Sequence, residues 1–282
     1  MKLNPKNRIF LAPMEEVNDI AFRLLCKKAG AGLNYSPMIH PKTQKEIHLQ
    51  DKPVLQLFCG KKDADSISAF MKKYDSKVSA WDFNLGCPAK TAKKHCFGVF
   101  LNSDLKTIEK ILKLMGENTK KPVMIKLRKS SYTIKIIKIA NKYCDAVAIH
   151  PRTQSQGYSG EPDIKFAESL KKYTKLPIIY SGNVDETNYT KFLKKFDFVM
   201  IGRKAIGNPN IFSEITNKKN YKKITFADYL KLASQYNFPF RQLKFQAMQF
   251  TKGLKNGKSL RLKIFEVKDE KELRKFAKQE DF

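Results

Sequence analysis

Residues 123–151 read VMIKLRKSSYTIKIIKIANKYCDAVAIHP. Two short β-favouring runs, VMIKLR (123–128) and AVAIHP (146–151), flank a stretch with helical spacing, SYTIKIIKIANKYC (131–144). Most such runs in the chain read as continuous apolar segments without alternation, which suits strands buried on both faces of a parallel sheet. Six further runs of this kind flank the pair: IFLAPM (9–14), LNYSPM (33–38), VLQLFC (54–59), AWDFNLGC (80–87), PIIYSG (177–182) and FVMIGR (198–203). Helical stretches lie between them. Residues 19–30 end in Gly30, a natural helix stop. Residues 103–118 open on Ser103 as N-cap and carry Leu105, Ile108, Ile111, Leu112 and Met115 on one face. Residues 188–196 are similar. Eight strand–helix units predict an α/β fold, a (β/α)8 TIM barrel. From about residue 217 no strand run follows. The expected organisation is a catalytic barrel over 1–216 and a small all-helical domain over 217–282.

The charge balance points to a polyanionic partner. There are 55 Lys+Arg against 27 Asp+Glu, a formal net charge of +28. Residues 217–282 alone hold 17 Lys/Arg against seven Asp/Glu. Solvated helix faces would account for some of this, but clustered cations bind phosphates by releasing counterions. The sequence has no long apolar span, so a membrane partner is not expected. The five cysteines, Cys26, Cys59, Cys87, Cys96 and Cys144, form no CxxC and follow no signal peptide. This predicts a reducing, cytoplasmic setting without a disulfide framework. The four histidines are too scattered to argue for a metal.

In a barrel the C-terminal strand ends and the loops after them build the active site. Those positions hold Pro13 and Met14, Gln56, Asn84 and Cys87, Lys126 and Arg128, His150 and Arg152, Ser181, Gly182 and Asn183, then Gly202 and Arg203. So many polar groups ending apolar strands predict a lined pocket. Gly182–Asn183 and Gly202–Arg203, after the seventh and eighth strands, fall where barrels often hold a phosphate. Glycine admits backbone N–H groups to an anion and Arg203 can fork onto its oxygens. Cys87 sits in FNLGCPAKTAKKH (83–95), between a glycine and a proline and ahead of a lysine-rich run. On the residues alone, a buried turn residue and a reactive thiol both remain open.

LAPMEEVNDIAFRLLCKKAGA (11–31) resembles the opening of the tRNA-dihydrouridine synthases. FNLGCPAK resembles that family's Asn-x-Gly-Cys-Pro signature, IHPRTQSQGYSG (149–160) its His-x-Arg-Thr segment, and MIGRKAIGNPNIF (200–212) its Gly-Arg phosphate loop. These matches are colinear over residues 9–213. The chain departs from the pattern at Ser181-Gly182-Asn183, where the family has Asn-Gly-Asp or Asn-Gly-Gly, and after Cys87, where only Gly98 of a glycine-rich stretch stands. The family reduces the C5–C6 double bond of uridines in tRNA with FMN, itself reduced by NADPH. The resemblance implies that Ala12, Pro13 and Met14 border the flavin and that Gln56 contacts its ring. Lys126 would lie at the ring's electron-accepting edge with His150 nearby. Ser181, Gly182, Asn183, Gly202 and Arg203 would hold the phosphate. Cys87 would be the general acid, with Asn84, Arg152 and Lys90 toward the target uridine and Tyr158 available for stacking. The implied partners are FMN, NADPH or NADH, and tRNA bound partly by the basic helical domain; no stable protein partner is expected.

Three other functions share parts of this pattern. A flavin reductase of free pyrimidines, such as a dihydroorotate or dihydropyrimidine dehydrogenase-like enzyme, has no need of a basic tail. An RNA-binding barrel without flavin has no need of Gln56, Cys87, Lys126 and His150 together. An aldolase-like barrel would use Lys126 as a Schiff base.

Overall fold

The computed structural model describes residues 3–216, 221–280 and 282. Eight strands run in the order of the chain: β1 (Ile9–Leu11), β2 (Leu33–Asn34), β3 (Val54–Leu57), β4 (Ala80–Leu85), β5 (Val123–Arg128), β6 (Ala146–His150), β7 (Ile178–Ser181) and β8 (Phe198–Ile201). All pair in parallel, in the order β2-β1-β8-β7-β6-β5-β4-β3. The remaining seam, β2 to β3, is closed by the bridges Tyr35↔Val54 and Ile39↔Leu57. The result is the expected eight-stranded barrel.

The second strand is shorter than the 33–38 run suggested. Pro37 has no N–H to give to a ladder. The chain bends there, and the Ser36 hydroxyl accepts the Gln56 N–H at 3.0 Å in place of a backbone carbonyl. Ser36 N–H and Ile39 N–H still reach the carbonyls of Val54 (2.9 Å) and Gln56 (2.8 Å), so the seam holds.

Twelve α-helices are present among the described residues. Eight accompany the barrel: α1 (Ile20–Ala29), α2 (Ser66–Tyr74), α3 (Lys90–Lys94), α4 (Leu105–Glu117), α5 (Thr133–Tyr143), α6 (Ile164–Ser169), α7 (Tyr189–Leu193) and α8 (Ile211–Ile215). Four follow: α9 (Phe226–Ala233), α10 (Phe240–Phe250), α11 (Gly257–Glu266) and α12 (Glu270–Glu280). Gly30 stops α1 with φ 114°, as its position implied. The cap of α4 is Asp104 and not Ser103: its carboxylate accepts the Thr107 N–H at 3.0 Å, a stronger acceptor one residue closer to the first turn. The boundary expected at 216/217 adjoins residues 217–220, which lie outside the described residues.

The strands turn out to alternate more than their composition suggested. On β4, Trp81, Phe83 and Leu85 belong to the large core between sheet and helices, while Ala80 faces the barrel interior. With period 2, Asp82 and Asn84 face inward as well. On β5 the outward Ile125 and Leu127 separate the inward Met124, Lys126 and Arg128. The lower interior is a small apolar plug that includes Phe10, Tyr35, Val54, Ala80, Met124, Ala146, Ile179 and Met200. The polar inward residues sit above it.

The C-terminal helices dock on α1 through one carboxylate. Asp19, the N-cap of α1, accepts from the Phe22 N–H at 2.9 Å on one oxygen. The other accepts from Tyr229 Oη (3.0 Å), Gln242 Nε2 (2.8 Å) and Gln246 Nε2 (2.7 Å). Phe22 meets Phe250 edge-on beside them, at 6.4 Å between ring centres.

Candidate active site

At the C-terminal mouth of the barrel lies a cavity of about 940 Å³. Its wall contains Ala12, Pro13, Met14, Gln56, Asn84, Cys87, Lys126, His150, Arg152, Ser181, Gly182, Asn183, Gly202 and Arg203. Residues picked from seven different strand ends thus meet in one place. Lys90 is not in that wall. It opens α3, exposed, with Lys93 and Lys94 exposed on the same short helix. The chain leaves the cavity at Pro88, and Lys90 falls on the outer rim.

Cys87 is half-buried and held from three sides. Asn84 Oδ1 accepts the N–H groups of Gly86 (3.1 Å) and Cys87 (2.9 Å). The Cys87 carbonyl accepts the Val99 N–H at 3.2 Å. Arg128 Nε donates to the Gly86 carbonyl at 3.0 Å. Gly98 has φ 60°, and a Cβ there would lie 2.6 Å from the Cys87 carbonyl oxygen and 3.0 Å from its Cβ. Gly98→Ala must therefore displace Cys87. We expect a loss of roughly 1–3 kcal/mol in thermal unfolding, with a parallel fall in turnover. The other thiols lie elsewhere. Cys26, Cys59 and Cys144 are buried, and burial pushes all three up, Cys59 to about 12. Cys96 is exposed, with φ 51°.

Three groups give the wall its charge pattern. Burial, then the neighbouring Arg128, lower Lys126 to about 8, against opposing pulls from Asp82 and Cys87. It remains mostly an ammonium at neutral pH. Burial and the charges of Lys126, Arg128, Arg152 and Arg203 lower His150 to about 2, so it is neutral. Arg152 Nη1 stands 3.1 Å from His150 Nε2. A guanidinium only donates, so Nε2 is the acceptor and Nδ1 carries the proton. Asp82, fully buried, is raised by burial to about 7, with Gln56 and Lys126 pulling it down.

Arg152 is almost wholly buried and its guanidinium serves the loop 153–161. It donates to the carbonyls of Ser159 (3.1 Å) and Gly160 (2.5 Å), and to Asn183 Oδ1 (3.1 Å). Arg203 Nη2 also donates to Asn183 Oδ1, at 2.5 Å. Tyr158 stands at the rim, 62% exposed, its ring 5.2 Å from the Arg128 guanidinium and 5.7 Å from that of Arg203. An exposed ring between two cations offers a stacking face. The glycine at 182 has a local reason: a Cβ would come within 3.0 Å of Pro162 and 3.1 Å of Tyr180 Oη. At Gly202 a Cβ would meet Ala12 at 3.6 Å and Met14 at 4.0 Å, so it would stand in the cavity among the residues expected to border a flavin.

The sequence places Arg128 among the strand-end residues of the pocket without a specific task and leaves Asp82 unassigned. Arg128 ties the Cys87 turn to the Tyr158 loop by donating to the carbonyls of Gly86, Thr153 and Gly157. Asp82 accepts from Gln56 Nε2 at 2.6 Å. Their inward parity beside Lys126 and Asn84 was the available signal.

The donor set suits FMN. Gln56, Lys126 and the Nδ1–H of His150 offer donors to a heterocycle edge rich in acceptors. Across the cavity, Arg203 and Lys204 stand where a 3-10 turn (Arg203–Ala205) begins, whose leading N–H groups have no partner inside the turn. Parallel barrels carry their chemistry at this end, and a cavity there with convergent polar side chains marks a TIM-barrel enzyme.

The family described as "Dihydrouridine synthase (Dus)" has a model that matches residues 10–281. Among curated relatives, tRNA-dihydrouridine synthase B of Vibrio parahaemolyticus is 31% identical over 229 residues, 74% of this chain and 71% of its own. A probable tRNA-dihydrouridine synthase of Rickettsia prowazekii is 31% identical over 233 residues, 74% and 70% of the two chains. Among solved structures, an old yellow enzyme homologue from Zymomonas mobilis superposes with TM-score 0.54 at 11% identity, covering 83% of this chain and 96% of its own. Morphinone reductase, solved with tetrahydroNAD, gives 0.51 at 12%, covering 80% and 91%. At that identity the two structures speak for the barrel alone. The chain belongs to the dihydrouridine synthase family.

Proposed function

We propose that the protein is an FMN-dependent tRNA-dihydrouridine synthase with Cys87 as proton donor. The observation that carries this reading is the convergence of Cys87, Lys126, His150, Gln56 and Arg203 in one cavity of a family member. FMN, when bound and reduced by NADPH, supplies hydride to carbon 6 of the uracil ring. Cys87 supplies the proton that carbon 5 requires, and its thiolate regains one from solvent. A thiol positioned beside the ring can serve as a general acid for that step. Lys126 offsets negative charge on the ring, and Gln56 and His150 Nδ1–H orient it. Ala12, Pro13 and Met14 form the border at the end of β1, where Asn18 Nδ2 pins the Ala12 carbonyl at 2.7 Å. Ser181, Gly182, Asn183, Gly202 and Arg203 form the phosphate end. Asn84 and Arg152 shape the uridine side by holding its walls.

Residues 1–216 serve as the catalytic barrel and 217–282 as the tRNA-holding part. Two features support tRNA over a free pyrimidine. The curated relatives bear that name, and exposed lysines flank the cavity at Lys90, Lys93 and Lys94. A base in folded tRNA must be drawn out of its stack to reach Cys87, and Tyr158 and the surrounding cations hold the strand that presents it. Among the described residues no helix is long and apolar enough to cross a membrane.

Reversing the exposed Lys255 and Lys258 to Glu tests the tail. Binding of tRNA should weaken, and the slope of log affinity against log salt should shrink by about 1–2. An unchanged slope removes this surface from the tRNA path. The test of the function as a whole is flavin absorbance that bleaches with NADPH and returns on adding tRNA that lacks dihydrouridine. Return on free uracil alone would favour the pyrimidine reductase reading.

A further inference from the structure

From the buried Asp82, a chain of hydrogen bonds runs through the cavity-wall residues Gln56 and Asn84 to Cys87. Gln56 Nε2 donates to Asp82 Oδ2 at 2.6 Å, Asn84 Nδ2 donates to Gln56 Oε1 at 2.8 Å, and Asn84 Oδ1 accepts the N–H groups of Gly86 and Cys87. The two ends have fixed polarity. Backbone N–H groups can only donate, so Asn84 must present its oxygen to them and its NH2 to Gln56. Gln56 then presents its oxygen to Asn84 and its NH2 to Asp82, which must accept. The chain is consistent in one direction only, and Asp82 is the acceptor that ends it.

An acid at this position is costly unless it is used. Asp82 is 0% exposed, and its β5 partner in the sheet, Met124, is apolar, as is Ala146 beyond it. Burying a carboxyl in such a layer costs several kcal/mol unless it is partnered. Asp82 Oδ1 has no hydrogen-bond partner among the described residues, so Oδ2 bears the demand. If the carboxyl takes a proton on Oδ1, Oδ2 still accepts and the chain survives.

We propose that Asp82 is a positioning residue that sets the Cys87 turn, acting through Gln56 and Asn84. This rests on the reading of Cys87 as proton donor. Replacing Asp82 with Leu leaves the Gln56 NH2 without an acceptor and frees Gln56 to turn, so Asn84 Nδ2 loses a fixed partner and the hold of Asn84 on the turn loosens. Replacing it with Asn keeps an acceptor oxygen and should keep the chain.

The test is amide exchange, followed by NMR in the full-length protein. In Asp82→Leu the Gly86 and Cys87 amides should exchange about five- to tenfold faster, as expected for losing one hydrogen bond's net contribution. Asp82→Asn should return them to within about twofold of the parent rate. Alkylation of Cys87, resolved from Cys96 by peptide mass, should change in Asp82→Leu and return in Asp82→Asn. Unchanged exchange in a folded Asp82→Leu, or no restoration by Asn, overturns the proposal. If Asp82→Leu does not fold, Gln56→Leu breaks the same chain one bond further on and must give the same acceleration; unchanged exchange there overturns it equally. These measurements need no turnover. A parent enzyme that makes no dihydrouridine would refute the Cys87 reading and leave the exchange result standing on its own.

Discussion

Cys87→Ala should keep FMN bound and reducible by NADPH, yet form dihydrouridine about a hundredfold or more slowly. Removing a positioned general acid typically costs 10²–10⁴ in rate. The side chain is half-buried, so alanine creates little void, and its backbone grips through Asn84, Val99 and Gly98 do not involve the thiol. Flavin content and the rate of flavin reduction are therefore the internal controls. Full product formation in this variant would remove Cys87 from proton transfer. Cys96→Ser should leave turnover unchanged, because Cys96 is not in the cavity wall.

Lys126→Met should weaken FMN binding by about 10- to 100-fold, the scale of one lost charge-assisted hydrogen bond. Methionine matches the length of the stem and the apolar Met124 below, so the barrel should stay folded. The unliganded protein has a pH signature as well. A lysine lowered to about 8 is charged below that pH and neutral above it. FMN affinity should then fall as pH rises through about 8, and Lys126→Met should lack that limb. Affinity that is flat across this range in the parent protein would show that the ammonium does not meet the cofactor.

The barrel was legible because each strand is a short apolar run and the helices between them carry strong stop and face signals. What composition hid was parity. VMIKLR and AWDFNL mix apolar and polar residues, and their inward positions hold Lys126, Arg128 and Asn84 above the plug and Asp82 at the level of Met124. Strand-end reading found the residues that line the cavity because barrel topology brings those ends together. It could not find Asp82, one layer lower, whose importance lies in which atom of Gln56 it faces. Lys90, expected on the uridine side because it follows Cys87 closely, lies exposed on the rim, where Pro88 and the start of α3 turn the chain outward. The expected role of Arg152 rested on the family resemblance, and that of Gly182 on its place after the seventh strand as well. In the structure Arg152 is engaged by the loop it holds and Gly182 is packed against Pro162, which only the three-dimensional neighbours reveal. Asp19 sits on a sequence motif, but its service to three side chains from α9 and α10 joins positions more than 200 residues apart.

The central claim is that this cavity reduces uridine in tRNA. The most direct measurement incubates the purified protein with FMN, NADPH and tRNA from cells lacking it, then maps the RNA by mass. The account predicts a gain of two hydrogens at a defined uridine, slowed about a hundredfold or more in Cys87→Ala while NADPH still reduces the flavin. A flavin that binds and is reduced while every uridine in the tRNA keeps its mass would contradict it.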